Sequence, residues 1–335
     1  VWLEDINILR GWAIFLVVVG HLPFLNEVIL YRIIRVLIYS FHMPLFMMIS
    51  GYLFGRFSKE RVISSFAGYK NFLIKKAKRF IPAYFLTMLL LGSTKFIIGK
   101  FTSLKHPFTF TSLFMMFINP LKGGFVTHLW FLYTLLIIFL IYPLLEKLLW
   151  RIPEQIKTII YLGISFLPLS YFFCLDLVGK YLVYFYLGDL ISQKKWISQW
   201  KSLRMKDVLL GIIVLILILN VWINSKIVFG IYVKRCLFFI TSVLGSFGSY
   251  LWILELIRKK SFLAQFFNIL GFYGFEIYLF HTLGSESFAY VVKFLVPFKT
   301  FRYILIFIFS TMFGILIPIG IKKVLKKIGI FKNPF

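Results

Sequence analysis

The segment LRGWAIFLVVVGHLP, residues 9–23, sets one arginine and one histidine in an otherwise apolar run. An ionisable group at membrane depth costs at least ~2.5 kcal/mol, so each needs a function or a partner. A helix turns roughly 100° per residue. The eleven-residue step from Arg10 to His21 therefore returns to within ~20° of the same face, ~16 Å further along the axis. The pattern predicts a fixed cation and an imidazole on one seam at two depths. Imidazole is the side chain that changes protonation near neutral pH.

Three more histidines lie in or beside apolar runs: His42 in SFHMPLFMMISGYLFG, His128 in THLWFLYTLL and His281 in YGFEIYLFHTL, the last sharing its run with Glu276. For His42 and His128, hydrogen bonding at a helix end competes with a place in a site. Glu276 is a buried acid by position, either paired with a base or functional. It stands five residues from His281, an offset poorly suited to direct pairing on one helix. Trp130 reads as an interfacial aromatic, or as a platform for a sugar ring. The stretch KKAKRFIPAY gathers Lys75, Lys76, Lys78 and Arg79 ahead of Pro82, which suits the first turn of a helix. Such a cluster can grip anionic lipid head groups, at about 1 kcal/mol per charge, or the phosphates of a soluble ligand.

The elements that must hold these residues follow from composition. Of 335 residues, 60% are hydrophobic and 20% aromatic, the mean hydropathy is +0.89 and the formal charge is +26. A soluble core cannot absorb that much apolar surface, so the chain is expected to be an all-α, polytopic transmembrane bundle. Its 38 lysines and arginines fall in short connections between apolar runs, which points to membrane topology and away from nucleic acid. Cys174 and Cys236 show no metal spacing, and no metal is expected.

About ten runs approach the length of roughly 20 residues that a span needs: Ile6–Leu25, Val36–Phe54, Phe80–Ile98, His128–Leu145, Thr158–Leu175, Leu177–Ser192, Val208–Asn224, Cys236–Leu256, Phe266–Val292 and Tyr303–Ile321. The first lacks a small-residue cleavage site and reads as a retained span. No repeat or linker divides residues 1–335, which are expected to form one domain. With both termini cytoplasmic, the inner connections carry 24 Lys and Arg against 13 outside, the bias that the positive-inside rule requires. In that topology Arg10 lies toward the cytoplasm, and His21, His42, His128 and His281 converge on the outer half of the membrane.

With these residues placed, EDINILRGWAIFLVVVGH resembles the first span of the acyltransferase-3 family of membrane O-acyltransferases, in particular the members grouped with fucose 4-O-acetylase-like enzymes. FHMPLFMMISGYLFG, KKAKRFIPAY, HLWFLYTLL and FEIYLFH are similar to later blocks of that family, in order and at matching spacing. The resemblance implies a multi-pass protein of the cytoplasmic membrane. It would move an acyl group, usually acetyl, from acetyl-CoA to a hydroxyl of a surface or envelope carbohydrate or its lipid-linked precursor. It puts His21 at the reaction centre and Arg10, Lys76 and Arg79 toward the CoA end, while Glu276 and His281 stay companion candidates by their own position and chemistry. His42, His128 and Trp130 are left as candidates on the acceptor side. Lys76 stands where the family usually has an arginine, so it offers a point charge in place of a bidentate fork. Gly274 stands where a serine is frequent, so no hydroxyl role transfers there.

The implied chemistry is compatible with the residues. A histidine can take the acceptor's proton as the thioester is attacked, or be acylated itself. A pantetheine arm of roughly 15–20 Å matches the ~16 Å helical step from arginine to histidine. The competing reading is a transporter or flippase of lipid-linked sugars, since membrane His and Glu also form proton relays. A scaffold without activity is a further alternative.

Overall fold

The computed structural model describes residues 3–100, 106–193, 211–212, 214–216, 218–219 and 230–327, and among them every regular element is a helix. In chain order these are α1 (Glu4–Gly20), α2 (Ile29–Phe57), α3 (Lys59–Ser64), α4 (Phe66–Ile98), α5 (Phe110–Ile118), α6 (Pro120–Gly123), α7 (Trp130–Leu148), α8 (Glu154–Phe166), α9 (Leu175–Gln193), α10 (Ile231–Arg258), α11 (Phe262–Phe272), α12 (Gly274–Leu295), α13 (Lys299–Leu305) and α14 (Thr311–Lys327). A π-helical turn at Ile306–Ser310 joins the last two. The chain divides into two compact units, Val1–Phe46 with Trp196–Phe335, and Met47–Lys195.

Among the described residues, five segments are long and apolar enough to cross a membrane: Ile29–Phe57, Phe66–Ile98, Thr127–Leu148, Tyr232–Arg258 and Lys299–Lys327. The pair α11 and α12, bent by 89°, makes a sixth if taken as one span. Large apolar side chains such as Leu89, Ile97, Leu144 and Ile304 point outward. Surface of that kind is stable in hydrocarbon and not in water. The protein is a multi-pass helical membrane protein.

Several boundaries differ from the sequence expectation, each for a local reason. The first helix stops at Gly20, short of Leu25. Pro23 has no N–H to continue it and disfavours helical geometry at Leu22. Helix α4 begins at Phe66, where the Ser65 side chain accepts from the Gly68 amide at 3.0 Å. Pro82 therefore lies inside the helix and not in its first turn, and Lys75 to Arg79 are helical. The run Thr158–Leu175 is not one helix: α8 ends at Phe166 because Leu167, held extended with ψ 138°, precedes Pro168. The run Phe266–Val292 is broken at Tyr273, and Val208–Asn224 falls mostly outside the described residues.

In the first unit α1 is the central helix, packed by α10, α11, α12 and α14 and buried along most of its length. Small residues permit this crowding. A Cβ on Gly11 would sit 1.8 Å from the Phe267 carbonyl oxygen, and one on Gly271 would sit 2.2 Å from that of Asn7. Membrane helices, which gain little from apolar burial against one another, depend on such close backbone approach. Trp12 closes the layer edge-on to Trp252 at 4.5 Å and Phe267 at 5.4 Å. The buried Asp5 carboxylate accepts from Tyr250 Oη at 3.0 Å. In the second unit, Gly51 lies against the Phe185 carbonyl and Gly188 against that of Met48. This brings the end of α2 onto α9.

Gly11→Val is expected to force α1 and α11 apart at a cost of about 1–3 kcal/mol or more. A lower melting temperature and loss of the monodisperse peak in detergent would show this. Gly163→Val, where a Cβ meets nothing within 4 Å, should leave both unchanged.

Candidate functional site

The first unit builds its site from the C-terminal end of α1. The last carbonyls of a helix run short of intrahelical donors. Here the His21 amide reaches Val17 O and Val18 O at 3.2 Å, the Leu22 amide lies 3.5 Å from Val19 O, and side chains add further donors. Val17 O accepts from His21 Nδ1 at 2.8 Å, Tyr31 Oη donates to Val19 O at 3.0 Å and to Leu22 O at 3.2 Å, and Tyr39 Oη donates to Gly20 O at 3.3 Å. A carbonyl only accepts, so Nδ1 of His21 carries the hydrogen and Nε2 is the basic nitrogen. The Nδ1-to-carbonyl bond recurs twice, within α2 and within α12. His42 Nδ1 donates to Ile38 O at 2.7 Å, and His281 Nδ1 to Tyr278 O at 2.9 Å and Ile277 O at 3.1 Å.

These histidines form one cluster. The His21 ring meets the His281 ring at 5.2 Å, edge to face, and the Tyr39 ring at 5.8 Å. Tyr39 in turn meets His42 at 5.0 Å. His21 is half-buried, whereas His42 and His281 are fully buried. Of the three, His21 alone keeps part of its surface exposed. Arg35 joins this group through Tyr39, its guanidinium 5.0 Å from the Tyr39 centroid and its Nη1 donating to Asn26 Oδ1 at 2.7 Å.

At the other end of the seam, Arg10 faces the start of α12, where a Cβ on Gly274 would lie 3.8 Å from Arg10 Cγ. Its Nη2 donates to Asn7 Oδ1 at 2.7 Å, and Asn7 Nδ2 donates to Asn268 O at 2.9 Å and Oδ1 at 2.6 Å. Arg10 and His21 therefore both lie against α12, one at its first residue and one at His281. Glu276 is not with the histidines. It sits in the first turn of α12, ion-paired to Lys322 at 2.9 Å, and Lys322 also lies over Tyr273 at 4.9 Å. Among the described residues no three or more His, Cys, Asp and Glu side chains are grouped as metal ligands.

The sequence profile of the acyltransferase-3 family, described as an acyltransferase domain, matches residues 3–322. The chain belongs to the acyltransferase-3 family. Comparison with curated proteins and with solved structures gave no match. The chain is thus a membrane acyltransferase, and the family match covers both compact units of the acyltransferase.

The remaining sequence candidates of the acyltransferase lie in its second unit. Lys76 Nζ rests over three phenyl rings, Phe139 at 4.5 Å, Phe72 at 5.3 Å and Phe80 at 5.9 Å. Arg79 follows one turn later, 5.7 Å from the Phe80 ring. His128 is buried in a 3₁₀ turn at Thr127–Leu129, and Trp130 packs on Tyr181 at 5.2 Å. Sequence reasoning missed the main polar cluster of this unit. Lys59 bridges Asp189 at 2.5 Å and Glu146 at 2.9 Å, Tyr142 and Tyr161 donate to Asp189 and Glu146 respectively, and Lys157 lies 3.4 Å from Glu146. Burial pushes the Lys59 ammonium down, but the Asp189 and Glu146 carboxylates outweigh it and hold it above the usual lysine value. Each partner is unremarkable in sequence, because 130 residues separate Lys59 from Asp189.

Removing one member of this cluster leaves an uncompensated charge in a buried setting. Asp189→Ala is expected to destabilise by about 3–5 kcal/mol, and the double variant Lys59→Met/Asp189→Leu by much less. Thermal melts of the purified protein and its variants check this ordering. Additive losses would contradict it.

Proposed function

We propose that this acyltransferase moves an acetyl group from acetyl-CoA to a hydroxyl of a surface or envelope carbohydrate, or of its lipid-linked precursor, in the cytoplasmic membrane. The observation that carries this reading is the shared seam: Arg10 and His21 both lie against α12, at its first residue and at His281. The donor's phosphates are too charged for hydrocarbon, so they stay at the Arg10 end, which then faces the cytoplasm. Asn7 orients the guanidinium there, and Glu276 offsets the neighbouring charge of Lys322. The thioester extends toward the opposite end of α1.

At that end His21 Nε2 accepts the proton of the acceptor hydroxyl as its oxygen attacks the thioester carbonyl. Nδ1 is already committed to Val17, so the ring holds one tautomer and one orientation. The carbon–sulfur bond breaks, the CoA thiolate leaves, and the imidazolium returns its proton to the sulfur. No net charge is left behind. His281, edge-on to His21 and tied to its own helix by two carbonyls, fixes the wall against which His21 works.

With purified protein, radiolabelled acetyl-CoA and a panel of glycans, His21→Ala should lower label transfer by about 10²–10⁴-fold. Arg10→Ala should raise KM for acetyl-CoA by about tenfold or more, the loss of a charge-assisted phosphate contact, with a smaller effect on kcat. Wild-type transfer by His21→Ala, or sugar translocation without label transfer, would overturn the assignment. Unchanged acetyl-CoA affinity in Arg10→Ala would remove the anchor role alone.

A further inference from the structure

The His21 end of the first unit is ringed by cations that the donor does not need. Residues 24–35 and 293–303 contain Arg32, Arg35, Lys293, Lys299 and Arg302 against the single acid Glu27. Positive-inside topology explains lysines and arginines at one membrane face only. If the Arg10 end is cytoplasmic, this ring lies on the opposite face, and it needs a different cause.

Most of the ring is committed. Lys299 Nζ holds Glu27 at 2.7 Å, and Tyr303 Oη donates to the same carboxylate at 2.7 Å. Those bonds, the Lys299 one first, keep the Glu27 carboxyl below the usual carboxylate range, so this acid stays charged and engaged at neutral pH. Arg302 donates to the carbonyls of Val296 at 2.7 Å and Pro297 at 2.9 Å. Lys293 lies over the Phe24 ring at 4.6 Å, where Phe24 takes a left-handed turn with φ 61°.

Arg35 differs from these. Asn26 Oδ1 takes one of its donors and the Tyr39 ring lies beneath its guanidinium, so its position is fixed from two sides. No carboxylate pairs with it among the described residues. A guanidinium has five N–H donors in a fork that fits carboxylate or phosphate oxygens. The Tyr39 ring it rests on is the one that packs on His21. The Arg35 guanidinium lies 5.0 Å and the His21 ring 5.8 Å from the Tyr39 centroid, so the cation and the imidazole are at most about 11 Å apart, within reach of one glycosyl unit and its charged substituent.

We propose that the acyl acceptor is anionic, and that Arg35, oriented by Asn26 and Tyr39, binds its phosphate or carboxylate group while a neighbouring hydroxyl meets His21. This rests on the acyl-transfer reading for the hydroxyl, but not for the anion site itself. The shared chemistry is an oxyanion, supplied by the diphosphate of a lipid-linked sugar or by the carboxylate of a uronic acid. Arg35 selects the acceptor and takes no part in proton transfer.

Binding to purified full-length protein in neutral detergent tests this separately from catalysis. The probes are farnesyl diphosphate, a glucuronate-containing oligosaccharide, its neutral glucose counterpart and phosphatidylglycerol. At least one of the first two should bind more tightly than the neutral sugar by about tenfold or more, weaken with added salt, and lose about tenfold in Arg35→Gln. Arg35→Lys should recover part of it, and acetyl-CoA affinity should not change in either variant. Whichever of the two probes binds identifies the source of the anion. Equal binding of neutral and anionic probes, unchanged binding in Arg35→Gln, or phosphatidylglycerol binding as tightly as the best probe would overturn the proposal, the last by making Arg35 a lipid contact. Anion binding that depends on Arg35 without any label transfer would leave the anion site standing and reject the acyl-transfer reading.

Discussion

The structure of the first unit turns on how the carbonyls at the end of α1 are met. A helix that stops leaves carbonyl acceptors short of donors, and each costs free energy if buried and unmet. Here the amides of His21 and Leu22 reach Val17, Val18 and Val19, Tyr39 meets Gly20, and His21 Nδ1 and Tyr31 Oη add second donors at Val17 and Val19. The additional side-chain bond to Val17 fixes the imidazole tautomer and its direction. The site thus sits at a helix end where backbone and side-chain donors share the same carbonyls.

The opposite end of the seam is governed by a second interruption, the bend between α11 and α12. Close backbone contact at Gly11 and Gly271 holds α11 against α1, and the chain then turns by 89° so that α12 begins beside Arg10. The N-terminus of α12 carries the positive end of a helix dipole. Glu276, in its first turn, answers both that dipole and Lys322. Charge at this end is therefore balanced locally before any ligand arrives, while the Arg10 side chain is oriented by an amide chain through Asn7 and Asn268.

The second unit solves a different problem. Its polar groups are gathered in one buried cluster where Lys59 and Lys157 face Glu146 and Asp189, with two tyrosines closing the remaining acceptor sites. Phenyl rings from α2, α4, α7 and α9 surround it, including the three beneath Lys76. Full pairing is what makes such a cluster tolerable in an apolar setting, since a buried charge without its partner is strongly unfavourable.

Much of this was legible in the amino-acid order. Composition alone required a helical membrane protein, and the arginine–histidine spacing put Arg10 and His21 on one face because helical pitch is a local property. The family blocks were legible for the same reason, being short and contiguous. Hydrophobic run length misplaces three helix boundaries, the stops at Gly20 and Phe166 and the start at Phe66, although Pro23, Pro168 and Ser65 give each a local reason, whereas the bend at Tyr273 lies within continuous apolar sequence. Tertiary structure decided that His281 and not Glu276 meets His21, that Arg35 shares the Tyr39 ring with the imidazole, and that Lys59 joins Asp189. Those pairings depend on which faces of distant helices pack together, and hydrophobic periodicity says that a face is buried without saying against what.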